Sequence, residues 1–145
     1  PLIVNDRLGI AMESKSAGIH VGANDLSPVK IKEQWSECQI LGFSLEWLDQ
    51  LKSQEVLVSD YIALSPVFST VTKTNTITEW GLEGIKQVRA LTNKPIVTIG
   101  NMNATNAADV IKAGANCLSV VSAICSANDP QAAAAEIRTI IERSL

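Results

Sequence analysis

Six short apolar runs, rich in β-branched residues, recur along the chain: Leu2–Val4, Ile19–Val21, Ile40–Phe43, Tyr61–Leu64, Ile96–Ile99 and Leu118–Val121. Each is nearly continuous rather than alternating, which is the pattern of strands covered on both faces of a parallel sheet. Helix punctuation fills the intervals. Ser27-Pro28 offers an N-cap followed by proline at the first helical position, and Asn128-Asp129-Pro130 repeats the device before the last helix. Gly18 and Gly114 each follow an alanine and lie close before a strand, where a glycine ending a helix belongs. Within the last helix Ala133, Ile137, Ile140 and Ile141 share one stripe, with Glu136, Arg138, Glu142 and Arg143 on other faces. The order is therefore β-α, repeated six times. Only residues 69–80, a Thr/Asn-rich stretch, interrupt it, and they are expected to form a long functional βα loop that closes over a bound phosphate.

Repeated βα units leave two architectures, an open doubly wound sheet or a (β/α)8 barrel. The 145 residues suit a six-stranded open sheet, since a barrel takes about 200 or more. The polar residues that follow the strands tip the choice towards the barrel. Asn5-Asp6-Arg7 follows the first run, Asn24-Asp25 the second, Ser44 the third, Gly100-Asn101 the fifth and Ser122 the sixth, while Thr70, Thr72 and Lys73 lie beyond the fourth. In a parallel α/β fold these positions open on the carboxyl edge of the sheet, where ligands bind.

Composition narrows the function. A 46% hydrophobic content and a formal net charge of −3, with no Lys/Arg run, argue for an ordinary globular domain and against a nucleic-acid or anionic-membrane surface. No apolar stretch approaches the ~18 residues of a membrane span, and no basic-then-apolar leader opens the sequence. Cys38, Cys117 and Cys125 are scattered and read as reduced thiols, so the expected location is the cytoplasm.

The chemistry sits at the strand ends. Asp6 and Asp25 form a pair suited to a hard cation such as Mg2+, which takes one or two carboxylates and completes its shell with water and phosphate oxygens. An Asp after a strand is also the commonest helix cap, so either residue alone is weak. Lys73 offers a mobile point charge for phosphate. Backbone N–H groups near Gly100-Asn101 and Val121-Ser122 match the usual phosphate site of a barrel. His20, the only histidine, lies inside a strand and reads as an internally hydrogen-bonded barrel histidine. Trp35 and Trp47 read as packing residues, and Trp80 as a brace for the polar loop.

Taken together, Pro1-Leu2-Ile3-Val4-Asn5-Asp6-Arg7, Gly18-Ile19-His20-Val21-Gly22 with Asp25-Leu26, Gly42-Phe43-Ser44, Pro66 to Lys73, Gly81-Leu82-Glu83-Gly84, Ile99-Gly100 and Val120 to Ile124 resemble the thiamine phosphate synthase family of (β/α)8 barrels. The resemblance implies one partial barrel domain over residues 1–145 that covers about strands 3 to 8, with two βα units expected before Pro1. It implies a transferase that joins an aminopyrimidinylmethyl diphosphate to hydroxyethylthiazole phosphate and releases pyrophosphate. Asp6 and Asp25 would hold Mg2+, Asn5 and Ser44 would face the pyrimidine substrate, and Lys73 would bind the departing pyrophosphate, with Ser44 and Lys73 as the catalytic pair. Thr70, Val71, Thr72, Asn101, Val121 and Ser122 would line the thiazole phosphate site. The implied partners are small phosphorylated substrates, with a homo-oligomer possible.

Departures from the family pattern are few but placed in the site. Asn101 stands where the family has Gly, Ala23-Asn24 where Gln-Glu is common, and Leu45-Glu46 where Thr-His is usual; the Gln-x-Arg-x-Lys cluster that grips the diphosphate is not in this sequence. Two other readings share these residues: a thiazole tautomerase-like enzyme, which relies on a His where Leu45-Glu46 stand, and a non-catalytic or inactive thiazole-phosphate binder.

Overall fold

A computed structural model describes residues 1–69 and 78–145. The described strands are β1 (Ile3–Asn5), β2 (Gly18–Val21), β3 (Ile40–Leu45), β4 (Tyr61–Leu64), β5 (Ile96–Ile99) and β6 (Cys117–Ser119). Between and after them come α1 (Leu8–Glu13), α2 (Pro28–Gln34), α3 (Gln54–Val58), α4 (Gly81–Leu91), α5 (Ala107–Lys112), α6 (Ser122–Cys125) and α7 (Pro130–Glu142), with a 3-10 turn at Leu48–Lys52. The strand order follows the chain, β1-β2-β3-β4-β5-β6, without the reversal of a doubly wound sheet. β1/β2, β2/β3 and β5/β6 pair in parallel. The chain divides into two compact units, Pro1–Ala63 and Leu64–Leu145.

In the first unit the register sets Asn5 beside His20 and His20 beside Gly42, so these three share one face of the sheet. Ile19, Val21, Leu41, Phe43 and Leu45 lie on the other face, and all are buried. The Ser27 hydroxyl accepts from the N–H of Lys30 and Pro28 opens α2, as the sequence predicts. Asp60 ties β3 to the chain entering β4: its carboxylate accepts from the N–H of Leu41 at 2.7 Å and stands 3.6 Å from the Lys32 ammonium of α2.

Gly18 does not end a helix. The left-handed residue after α1 is Lys15, at φ 51°, with the N–H of Lys15 on the carbonyl of Met12 and that of Ser16 on the carbonyl of Ala11, the paired bonds of a Schellman turn. Gly18 is instead the first residue of β2, where a Cβ would lie 1.8 Å from the carbonyl oxygen of Ile40.

In the second unit the glycine expectation holds. Gly114, at φ 118°, follows α5, and Gly114 and Ala115 donate to Ile111 and Val110 in the same paired arrangement. Asp129 caps α7 through the N–H of Ala132, and Ile137 is the buried centre of the stripe on that helix. β6 runs over Cys117–Ser119 rather than Leu118–Val121, because Cys117, Leu118 and Ser119 pair with Val97, Thr98 and Ile99. Val121 is left exposed as the residue preceding α6.

Candidate functional site

Asp6 occupies the first turn after β1 in a conformation few side chains adopt. Its φ is 63°, and the N–H of Arg7 donates to the carbonyl of Asn5 at 2.8 Å, which closes a three-residue γ-turn around a left-handed centre, a rare and strained form. Two bonds hold it there. The Asp6 N–H donates to the carbonyl of His20 on β2 at 2.9 Å, and the Asn5 amide donates to Asp6 Oδ2 at 2.7 Å. A hollow of about 390 Å3, with Arg7, Glu13 and Leu26 in its walls, opens beside Asp6.

Asp25 sits at the end of the neighbouring strand. Its Oδ2 accepts from the N–H of Gly22 at 2.8 Å while its own N–H returns to the Gly22 carbonyl. Both aspartates are exposed and lie past the carboxyl ends of adjacent parallel strands, each with one oxygen oriented by a local donor. Two hard carboxylates so placed fit a cation that draws its remaining ligands from water and phosphate. Among the described residues no cluster of three acidic, Cys or His side chains forms a closed protein cage. A further hollow of about 310 Å3, between Gly22-Ala23, Phe43 and Trp47, follows the same edge.

Ser44 is buried on β3, and its hydroxyl meets Nε2 of His20 at 2.8 Å. Nδ1 of that ring meets the Tyr61 hydroxyl at 2.9 Å. His20 is thus hydrogen-bonded inside the sheet, as the sequence predicts. Its link to Ser44 was not legible there, nor was the part of Tyr61; the one available signal is an aromatic residue opening an otherwise aliphatic strand.

In the second unit Gly100 and Asn101 are both left-handed, at φ 107° and 55°. A Cβ on Gly100 would come within 2.7 Å of Pro66, and the N–H of Val67 donates to the carbonyl of Ile99 at 2.7 Å. The Asn101 carbonyl is held by the side-chain amides of Asn103 and Asn106 at 3.0 and 2.8 Å. Asn101 therefore keeps the backbone that a glycine would adopt, as expected of the side chain that best tolerates it. Asn101→Gly is expected to leave stability within about 0.5 kcal/mol, whereas Asn101→Val, β-branched at positive φ, costs about 1–2 kcal/mol; urea midpoints of the two variants check this. Val121 and Ser122 are exposed at the start of α6. Thr70, Val71, Thr72 and Lys73, and with them most of the expected lid, lie outside the described residues.

The expectations for the three tryptophans need revision or refinement. Trp47 is not a packing residue: it is 44% exposed, just before the 3-10 turn. Trp35 is half-buried at the end of α2 rather than inside it. Trp80, in contrast, is buried, and among the described residues its indole N–H has no hydrogen-bond partner. All three cysteines are free thiols. Desolvation raises the Cys38 thiol, against a smaller lowering by Lys32, and raises that of Cys117, so neither is an activated nucleophile. No described helix is long and apolar enough to cross a membrane.

This arrangement has counterparts among known proteins. Residues 1–124 match the family model for thiamine monophosphate synthase (TMP-TENI). A thiamine-phosphate synthase of Albidiferax ferrireducens is 40% identical over 142 residues, covering 98% of this chain and 65% of its own length. That of Vibrio campbellii is 42% identical over 133 residues, covering 92% and 65%. The chain thus spans about two thirds of the length of these curated relatives. The solved thiamine phosphate pyrophosphorylase of Pyrococcus furiosus superposes with a TM-score of 0.87 at 31% identity, over 99% of this chain and 68% of that one. With the parallel strands, the strand-end aspartates and the strand-end serine in the same order as the sequence motifs, this chain belongs to the thiamine monophosphate synthase family.

Proposed function

We propose that this chain carries the thiamine phosphate synthase reaction, the joining of an aminopyrimidinylmethyl diphosphate to hydroxyethylthiazole phosphate with release of pyrophosphate, on β-strands equivalent to strands 3 to 8 of a (β/α)8 barrel. The observation that carries the reading is the pair Asp6 and Asp25 at the ends of adjacent parallel strands, with Asp6 held in a strained left-handed turn. Strain of this kind persists where the surrounding structure enforces it, and it concentrates at functional sites.

In this reading Asp6 and Asp25 hold Mg2+ against the diphosphate. When bound there, the ion would supply charge neutralisation for the diphosphate leaving group. Asn5 orients Asp6 and contacts the pyrimidine substrate; Ser44 faces the same substrate; Lys73 receives the departing pyrophosphate. Thr70, Val71, Thr72, Asn101, Val121 and Ser122 bind the thiazole phosphate, the last three through left-handed backbone and the start of α6. The electron-rich aminopyrimidine supports a methylene cation that the thiazole nitrogen captures, so the reaction asks for charge stabilisation and water exclusion rather than a general base. A tautomerase is disfavoured at one position, where buried Leu45 and half-buried Glu46 stand in place of a histidine.

The test is direct. The complete protein given both substrates is expected to release pyrophosphate and form thiamine phosphate only with Mg2+ present, and to stop on chelation, whereas these 145 residues alone, without the Gln-x-Arg-x-Lys cluster, are expected to turn over very slowly. Binding of thiazole phosphate without any pyrophosphate release would instead support a non-catalytic binder.

A further inference from the structure

Tyr61, His20 and Ser44 form a hydrogen-bonded row within the first unit, and the geometry around Gly42 shows how strictly it is held. The His20 and Tyr61 rings stack with centroids 5.5 Å apart and planes 19° from parallel. The Tyr61 ring crosses the space that a side chain at position 42 would occupy: a Cβ there would lie 2.1 Å from Tyr61 Cζ, 2.3 Å from its hydroxyl and 2.4 Å from His20 Nδ1. Glycine at 42, in register with His20, is what lets the phenol reach the imidazole.

A neutral imidazole has one donor and one acceptor nitrogen, and its two neighbours decide which is which. Among the described residues the hydrogen-bond neighbours of the two ring nitrogens are both hydroxyls, and they are not equal. A phenol, with a pKa of about 10, is much the more acidic and so the stronger donor. Tyr61 O–H therefore donates to Nδ1 at 2.9 Å, the ring proton goes to Nε2, and Nε2–H donates to the Ser44 oxygen at 2.8 Å. The consequence falls on Ser44. Its oxygen is already accepting, so its own proton is turned away from His20 and can be donated to a ligand. In the other tautomer that proton would be taken by Nε2, and Ser44 would present only lone pairs, which repel an anionic or acceptor-rich substrate.

We propose that Tyr61 is a positioning residue: it fixes His20 as the Nε2–H tautomer and so makes Ser44 a hydrogen-bond donor to the pyrimidine diphosphate. The tautomer stands on the geometry and on the greater acidity of the phenol, while the role of Ser44 rests on the synthase reading. Long-range 1H–15N spectroscopy of histidine-labelled protein, without substrate and at about pH 8.5 where an ordinary imidazole is neutral, reads the tautomer; His20→Gln assigns the signals. The expected result is a pyrrole-type Nε2 and a pyridine-type Nδ1 in the wild type, with Tyr61→Phe, which removes only the hydroxyl, shifting the population towards Nδ1–H. In pyrophosphate release Tyr61→Phe is expected to lower kcat about tenfold, the scale of one lost hydrogen bond, with KM unchanged within twofold. An Nδ1–H tautomer in the wild type, or an unchanged tautomer in Tyr61→Phe, overturns the assignment. A switched tautomer with undiminished kcat overturns its link to Ser44. Absence of turnover in the complete wild-type protein would overturn the synthase reading, and the spectrum would still decide the tautomer.

Discussion

Asp6→Ala and Asp25→Ala are each expected to lower Mg2+-dependent pyrophosphate release by about 10²–10³, the usual loss when one charge-stabilising group is removed. Asp6→Asn separates charge from conformation. Asn tolerates left-handed backbone nearly as well as Asp, so the turn at φ 63° survives, and stability should stay within about 0.5 kcal/mol of wild type. Activity should nevertheless fall as far as in Asp6→Ala, because only the carboxylate is gone. Asp6→Ala should add a stability loss of about 1 kcal/mol from alanine forced into the left-handed region. Steady-state pyrophosphate assays across a Mg2+ titration, with urea unfolding of the same variants, check both. Undiminished turnover of Asp6→Asn, or full activity in chelator, would remove the two aspartates from the proposed mechanism.

The second large effect is structural. Gly18→Ala is expected to destabilise the chain by about 3 kcal/mol, the upper part of the range for overpacking. The clash at 1.8 Å is with the carbonyl oxygen of Ile40, and its carbonyl carbon and Cβ lie at 2.7 and 2.9 Å. Backbone cannot rotate away as a flexible side chain can, so β2 and β3 must part at the Gly18–Ile40 register pair. Such a loss is a large share of the 5–15 kcal/mol typical of a folded domain. Gly9→Ala should have the opposite sign. Gly9 lies within α1, where a Cβ would meet nothing within 4 Å, so alanine should stabilise by about 0.5–1 kcal/mol through a less disordered unfolded state. Urea midpoints at unchanged slope read both effects. A wild-type midpoint for Gly18→Ala would contradict the close approach of these strands.

Much of the architecture is a local matter, and local signals were sufficient for it. Continuous β-branched runs lie where β2, β3, β4 and β5 form, because strands buried on both faces leave no room for alternation. Ser27-Pro28 and Asp129-Pro130 start α2 and α7 because cap and proline act on the adjacent turn alone. Asp6 and Asp25 could be named as a pair because strand polarity in a parallel sheet sends every βα junction to the same edge.

Tertiary structure decided the rest. Gly18 and Gly114 look alike in sequence, each after an alanine and close before a strand, yet Gly114 ends a helix at φ 118° and Gly18 exists to admit the Ile40 carbonyl. Trp47 and Trp80 differ in burial because of what packs over them, which no residue-level preference encodes. His20, Ser44 and Tyr61 are brought together across 24 and 41 residues of sequence. What the sequence determined by itself was the order of elements, their punctuation and the carboxyl-edge position of the polar residues, all set by interactions within a turn or two. Which glycine faces a carbonyl, which indole is covered and which hydroxyl orients the histidine depend on contacts between distant segments, and these exist only once β2, β3 and β4 stand side by side.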